Sequence, residues 1–186
     1  MELSVNKILL IVEGENREVT FFSKYKSVKR MNDNLEVVPF KQNIQELYRL
    51  CKGYIFNGIK PNNIVDIMLD ATNISESDKD LLQNKFTDVY LIFDLDIQNA
   101  IKEENIVNYL KEVNDLIDFF NDSTSIGQLL INYPSMDSIY HMSDSNFASY
   151  KDICIASDIE TNKNYKAYVD SLQITYDCKH LTQNDF

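Results

Sequence analysis

The feature that most constrains the fold is a short apolar run at residues 89–93 that ends directly in two carboxylates, Asp94 and Asp96. A continuous apolar run of this length, bounded by polar residues, is typical of a strand buried on both faces of a parallel sheet. A second run, Ile8–Val12, ends in Glu13 in the same way. Parallel strands place their carboxyl ends at one edge of an open α/β sheet, where ligands bind. We therefore expect the three acids to lie at one edge.

Apolar residues at helical spacing follow or separate these strands. The pattern predicts helices at residues 17–25, 43–54 and 101–120. Two more strands are predicted at residues 35–40 and 127–132, with Pro39 better suited to the end or the edge of a sheet than to its middle. Alternating strands and helices predict an α/β fold with a mostly parallel sheet flanked by helices.

These patterns divide the chain into a large main domain and a shorter C-terminal extension. Residues 1–145 are predicted to form the main domain, with an insertion or irregular crossover at about residues 57–85. Pro134 is expected to begin a short helix. Residues 146–186 are predicted to form a less regular C-terminal extension, which could belong to a larger helical region.

Composition excludes several classes of protein. The 186 residues carry a net charge of −11, which argues against a generally basic nucleic-acid surface. Three widely spaced cysteines and two histidines do not favour a disulfide framework or a structural zinc site. The sequence has no run of about 20 apolar residues and does not begin like a signal peptide, so a cytoplasmic protein without membrane contact is expected.

The three acids at strand ends suit a hard divalent cation. Mg²⁺ prefers oxygen ligands and usually takes one or two carboxylates, with water and phosphate in the other positions. Glu13, Asp94 and Asp96 could supply them. An isolated Asp-x-Asp is also consistent with a strand that ends in solvent, and Glu13-Gly14 is also consistent with a simple turn.

Three motifs in order resemble the Toprim domain over about residues 5 to 142. They are Ile-Val-Glu13-Gly-Glu, Ile-Phe-Asp94-Leu-Asp96 and Asn132-Tyr-Pro-Ser-Met-Asp137, each at or after a predicted strand. The segment from Glu13 to Glu18, followed by two phenylalanines, is similar to the opening of the OLD and RloB kind of Toprim nucleases, which are associated with anti-phage defence.

The resemblance implies a Rossmann-like sheet that binds Mg²⁺ or Mn²⁺ and hydrolyses phosphodiester bonds in DNA or RNA, with tRNA among the candidate substrates. It assigns Asp94 and Asp96 as principal ligands and Glu13 as a ligand or general base. Glu18 and Asp137 would contribute to a second metal position, although Asp137 is one methylene shorter than the usual glutamate. It also implies a defence effector that a regulatory protein partner or a homo-oligomer controls.

Basic residues offer a weaker prediction. Lys24, Lys26, Lys29 and Arg30 form a compact patch that could follow a nucleic-acid backbone, and His141 could contact phosphate. The more ordinary interpretation of the patch is a solvated helix face, and that of the histidine is a structural role.

Two other functions are consistent with the sequence. A phosphatase or phosphotransferase of the haloacid dehalogenase type also places Asp-x-Asp after a strand and uses Mg²⁺, but there the motif normally opens the domain. A non-catalytic interaction module on the same fold would need no reaction at all. Fold-level analogy alone does not separate these functions.

Overall fold

The computed structural model describes residues 7–31, 34–61, 64–69, 74–97, 100 and 105–132. These residues form an α/β fold with a five-stranded, mostly parallel sheet flanked by helices. The fold class expected from the sequence is confirmed at this level. The predicted helix after Pro134 and the C-terminal extension at 146–186 lie outside the described residues.

The described chain contains five strands and five helices. The strands are β1 (Ile8–Val12), β2 (Leu35–Pro39), β3 (Asp88–Asp94), β4 (Asn121–Asp122) and β5 (Gly127–Asn132). The helices are α1 (Arg17–Val28), α2 (Ile44–Asn57), α3 (Ile64–Leu69), α4 (Glu76–Leu82) and α5 (Ile106–Phe119). In the described part of the chain, no helix combines the length and apolar character needed to cross a membrane.

The sheet order is β2-β1-β3-β5-β4, and only β4 is antiparallel to its neighbour. In this register Val12 pairs with Ile92, and Asp94 pairs with Asn132. The carboxyl ends of β1, β3 and β5 therefore meet at one edge of the sheet. Pro39 is the last residue of the edge strand β2, where its missing N–H does not interrupt the sheet.

The sheet has a large core on one face and a smaller one on the other. On the larger side, Leu9, Ile11, Leu91 and Phe93 are fully buried with residues of α2 to α5. On the other side, Leu10, Val12 and Ile92 pack with partly buried side chains of α1. Burial on both faces explains why β1 and β3 are continuous apolar runs rather than alternating ones.

The crossover at residues 57–85 is more regular than the sequence pattern indicated. It contains α3 and α4, both short helices. In α3, Ile64, Ile67 and Met68 are buried at i, i+3 and i+4, a helical spacing that six residues were too few to establish from sequence alone. The polar start of α4 is a capping arrangement, because the Ser75 hydroxyl accepts a hydrogen bond from the Asp78 amide.

Two glycines provide a matched test of this packing. Gly127 has φ +123°, and a Cβ there would lie 2.7 Å from the Leu91 Cδ1 atom, whereas a Cβ on Gly53 within α2 would meet no atom within 4 Å. We expect Gly127→Ala to lower the free energy of unfolding by about 1 kcal/mol or more, and Gly53→Ala to raise it by about 0.5–1 kcal/mol. Urea denaturation of both variants measures this, and equal effects would contradict the described β3–β5 packing.

Candidate functional site

The carboxylate of Glu13 links the ends of the two central strands. β1 ends at Val12, and the Glu13 amide donates a hydrogen bond to the Ile92 carbonyl oxygen at 3.1 Å. The Glu13 Oε2 atom then accepts a hydrogen bond from the Asp94 amide at 2.9 Å. The side chain therefore continues the β1–β3 ladder by one bond beyond the end of β1.

Asp94 and Asp96 stand in different backbone settings. Asp94 ends β3, and its Oδ1 atom accepts a hydrogen bond from the Asn132 Nδ2 atom at 3.2 Å across the β3–β5 pair. Asp96 lies beyond the strand in a tight turn, because the Ile97 amide donates to the Leu95 carbonyl oxygen at 2.7 Å. The simple strand alternation that would point both acids in one direction therefore does not continue past Asp94.

Glu18 folds back over the turn that follows β1. It lies in the first turn of α1, and a Cβ added to Gly14 would come within 2.8 Å of its Oε1 atom. A glycine at position 14 leaves the space that the Glu18 carboxylate occupies beside Glu13. The structure thus places the Glu18 carboxylate near Glu13, and its role at a second metal position stays a prediction.

These acids affect one another electrostatically. The pKa of Glu13 is raised from 4.5 to about 8, first because burial disfavours its charged form and then because Asp94, Glu18 and Asp96 repel it. The hydrogen bond from the Asp94 amide acts in the opposite direction and lowers this pKa. We call Glu13, Glu18, Asp94 and Asp96 the acid cluster.

Tyr109 lies near the acid cluster, although the sequence pattern did not assign it there. Tyr109, in the first turn of α5, fits the apolar face of that helix and is only 3% exposed. Its pKa is raised by burial and then by the negative charges of Asp96, Glu13 and Asp94. The Tyr109 hydroxyl therefore lies within electrostatic range of the acid cluster, although its spacing in the sequence marks it as an ordinary core residue.

Lys41 is a second residue that the sequence did not single out. It follows β2, and its amide donates a hydrogen bond to the Glu13 carbonyl oxygen at 2.9 Å. A depression of about 520 Å³ beside it is lined by residues 13–15 and 41–43. Its Nζ atom lies 3.5 Å from the Glu15 Oε2 atom, and its φ of +64° is a left-handed conformation that is uncommon outside glycine. The positively charged Lys41 side chain thus lies at the same edge of the sheet as the acids, despite the negative net charge of the chain.

The described acids fit a partly hydrated cation better than a closed metal cage. Within the ranges described above, no three aspartate, glutamate, histidine or cysteine side chains form a group that could hold a metal ion by themselves. Mg²⁺ commonly takes only one or two protein carboxylates and keeps several waters. The partly buried, mutually repelling carboxylates of Glu13 and Asp94 suit such an ion, because a cation would offset their charge.

The predicted basic patch lies at the other edge of the sheet. α1 has 12 residues and is about 18 Å long, and it runs from the acid cluster back to the start of β2. Lys29 and Arg30 lie at its far end, and the Lys26 Nζ atom pairs with the Glu36 Oε2 atom at 3.0 Å. The structure does not bring this end of the patch to the acids, and a nucleic-acid contact there stays a prediction. Asp137 and His141 lie outside the described residues.

Comparison with known proteins adds no relative. No family model matches the chain, and no curated protein or solved structure matches it significantly.

The raised pKa of Glu13 predicts a pH-dependent stability in metal-free buffer. Between about pH 4.5 and pH 8 the unfolded chain releases the Glu13 proton while the folded chain keeps it, so stability falls as the pH rises through this window. Glu13→Gln carries no such charge and should be the more stable protein by about 2–4 kcal/mol above pH 8, with little difference near pH 4.5.

Urea denaturation in EDTA across this pH range measures the difference between Glu13→Gln and the wild type. Asp118→Asn, which removes an exposed carboxylate of α5, is the control and should follow the wild-type curve. If the wild type and Glu13→Gln show parallel curves, Glu13 is not an acid with a raised pKa.

Proposed function

We propose that the chain is a metal-dependent nuclease of the Toprim type that hydrolyses phosphodiester bonds in DNA or RNA. The observation that carries the proposal is the bond between the Glu13 carboxylate and the Asp94 amide. It joins the acid after the first strand to the Asp-x-Asp motif after a neighbouring parallel strand. This is the pairing of motifs on which the resemblance to Toprim domains rests.

The arrangement of charged groups supports a phosphodiester substrate. A divalent cation, when bound, would polarise a phosphate and activate a water nucleophile. Asp94 and Asp96 are the principal candidates to hold it, and Asn132 orients Asp94 by its hydrogen bond. A hydrogen bond to a metal-binding side chain from a residue that does not itself bind the metal fixes the direction of that side chain.

Glu13 has the properties of a group that exchanges protons at neutral pH. Its pKa of about 8 keeps much of it protonated without a cation, and positive charge nearby would lower that value. It is therefore suited either to bind the ion or to accept a proton from the attacking water. Glu18, which lies over Gly14, and Asp137 are the proposed contributors to a second ion.

The proposal includes a role in anti-phage defence under the control of a partner protein or a second copy of the chain. This part rests on the resemblance to OLD and RloB nucleases. If the purified chain alone cuts nucleic acid rapidly, it is not held inactive in this way.

Cleavage assays test the reaction and its substrate. Labelled single-stranded DNA, duplex DNA, total RNA and tRNA are incubated with Mg²⁺ or Mn²⁺ and with the wild type, Asp94→Asn, Glu13→Gln or the control Asp118→Asn. We expect internal cleavage that EDTA abolishes and that falls about 100-fold or more in both site variants, because each loses a charge at the reacting phosphate. Asp118→Asn should keep wild-type activity, and circular dichroism confirms that each variant is folded.

The same preparations distinguish the other functions. Release of phosphate from small esters without cleavage of nucleic acid would favour the haloacid dehalogenase type of reaction, which passes through an aspartyl intermediate. If the chain catalyses neither reaction and calorimetry detects no cation binding, the result would favour an interaction module.

Lys41 is expected to contact the phosphate backbone of the substrate. A lysine that pairs with a phosphate displaces a bound counterion, so its loss should weaken binding and reduce the slope of log affinity against log salt by about one. The variant is Lys41→Gln, measured by fluorescence anisotropy in the Asp94→Asn background so that the probe stays intact. Lys24→Gln, from α1, is the control, and a larger effect there than at Lys41 would instead favour the basic patch on α1.

A further inference from the structure

The hydroxyl of Tyr109 is the one buried side-chain polar atom of the described residues that makes no hydrogen bond. The residue is only 3% exposed, so water does not satisfy the group from bulk solvent. A buried hydroxyl without a partner costs about 1–3 kcal/mol, and native proteins rarely retain one without a reason.

The position of this hydroxyl supplies a reason. It lies where the charges of Asp96, Glu13 and Asp94 all act on it, with Asp96 the strongest of the three. A tyrosine hydroxyl keeps its proton at neutral pH, because its ordinary pKa is about 10, so it is an O–H donor. The Asp96 amide is close enough to offset part of the effect of the three charges, although it makes no hydrogen bond of good geometry with the Oη atom. An O–H donor therefore faces carboxylates, which are acceptors only.

We propose that Tyr109 is a positioning residue of the acid cluster, whose hydroxyl donates a hydrogen bond to the Asp96 carboxylate and orients it toward a bound divalent cation. The inference rests on the proposed metal site. A carboxylate has two oxygens, so one can bind the ion while the other accepts the tyrosine proton.

The backbone places the two aspartates in different settings. Asp94 is fixed by its place in β3 and by Asn132, whereas Asp96 stands in the turn closed by the Ile97 amide and the Leu95 carbonyl oxygen. The sheet ladder that fixes Asp94 does not reach that turn. A donor on α5, a helix packed against the sheet by buried residues, supplies a rigid reference point.

Tyr48 is a matched control within the same core. It lies on α2, is 6% exposed, and its hydroxyl donates to the Asp115 Oδ2 atom at 3.5 Å rather than to the acid cluster. Tyr48→Phe and Tyr109→Phe therefore remove the same atom from two tyrosines that both belong to the core. Only Tyr109→Phe removes it beside the proposed cation site.

The test measures Mn²⁺ affinity by isothermal titration calorimetry and metal-free stability by urea denaturation for the wild type and both variants. We expect Tyr109→Phe to bind Mn²⁺ about tenfold more weakly, the usual range for loss of a residue that orients a ligand. Its metal-free stability should equal or exceed that of the wild type, because the deleted hydroxyl had no partner. Tyr48→Phe should keep wild-type Mn²⁺ affinity.

Unchanged Mn²⁺ affinity in Tyr109→Phe would overturn the inference, and so would an equal loss in Tyr48→Phe. A wild type that binds no Mn²⁺ would overturn it together with the metal site. A wild type that binds Mn²⁺ but cleaves no nucleic acid would overturn only the nuclease proposal, since the affinity comparison still decides the role of Tyr109.

Discussion

The hydrogen bond from the Asp94 amide to the Glu13 carboxylate is the interaction on which the candidate site depends. It spans β1 and β3 at the point where the backbone ladder between them ends. A peptide N–H at such an end needs an acceptor, and an acid placed one residue after the strand supplies it. The bond holds two of the acids at one edge of the sheet.

This arrangement has an electrostatic cost that the rest of the fold must offset. Glu13 is partly buried next to three other carboxylates, which is why its pKa rises to about 8. The stabilisation comes from the apolar strands below the site, whose residues are buried on both faces of the sheet. Several carboxylates held close together are typical of a site that binds a cation or transfers protons.

The polar groups around the acids divide into those that fix the site and those that remain available to a ligand. The Asn132 amide group and the backbone of β3 fix Asp94, and the space above Gly14 accommodates Glu18. Lys41 and the depression beside it offer a positive group at the same edge. The acids and the Lys41 side chain support the nuclease proposal, and the buried tyrosine hydroxyl supports the inference about Asp96.

The sequence by itself determined the strands β1, β3 and β5, the main helices and the acids that follow the strands, because continuous apolar runs and helical spacing are local signals. It also placed Pro39 at a strand end. It did not reveal α3 and α4, since six- and seven-residue helices carry too few apolar positions for a clear period. The two-residue strand β4 was missed for the same reason.

Only the tertiary structure decided which of the chemical groups meet. Lys41 and Glu13 become neighbours because β2 pairs with β1 in parallel, and Tyr109 reaches the acids because α5 packs on the same sheet. In the same way, the length and direction of α1 carry Lys29 and Arg30 away from the acids. Sequence spacing reports which face of its own element a residue occupies, whereas contacts between distant elements depend on strand order and register.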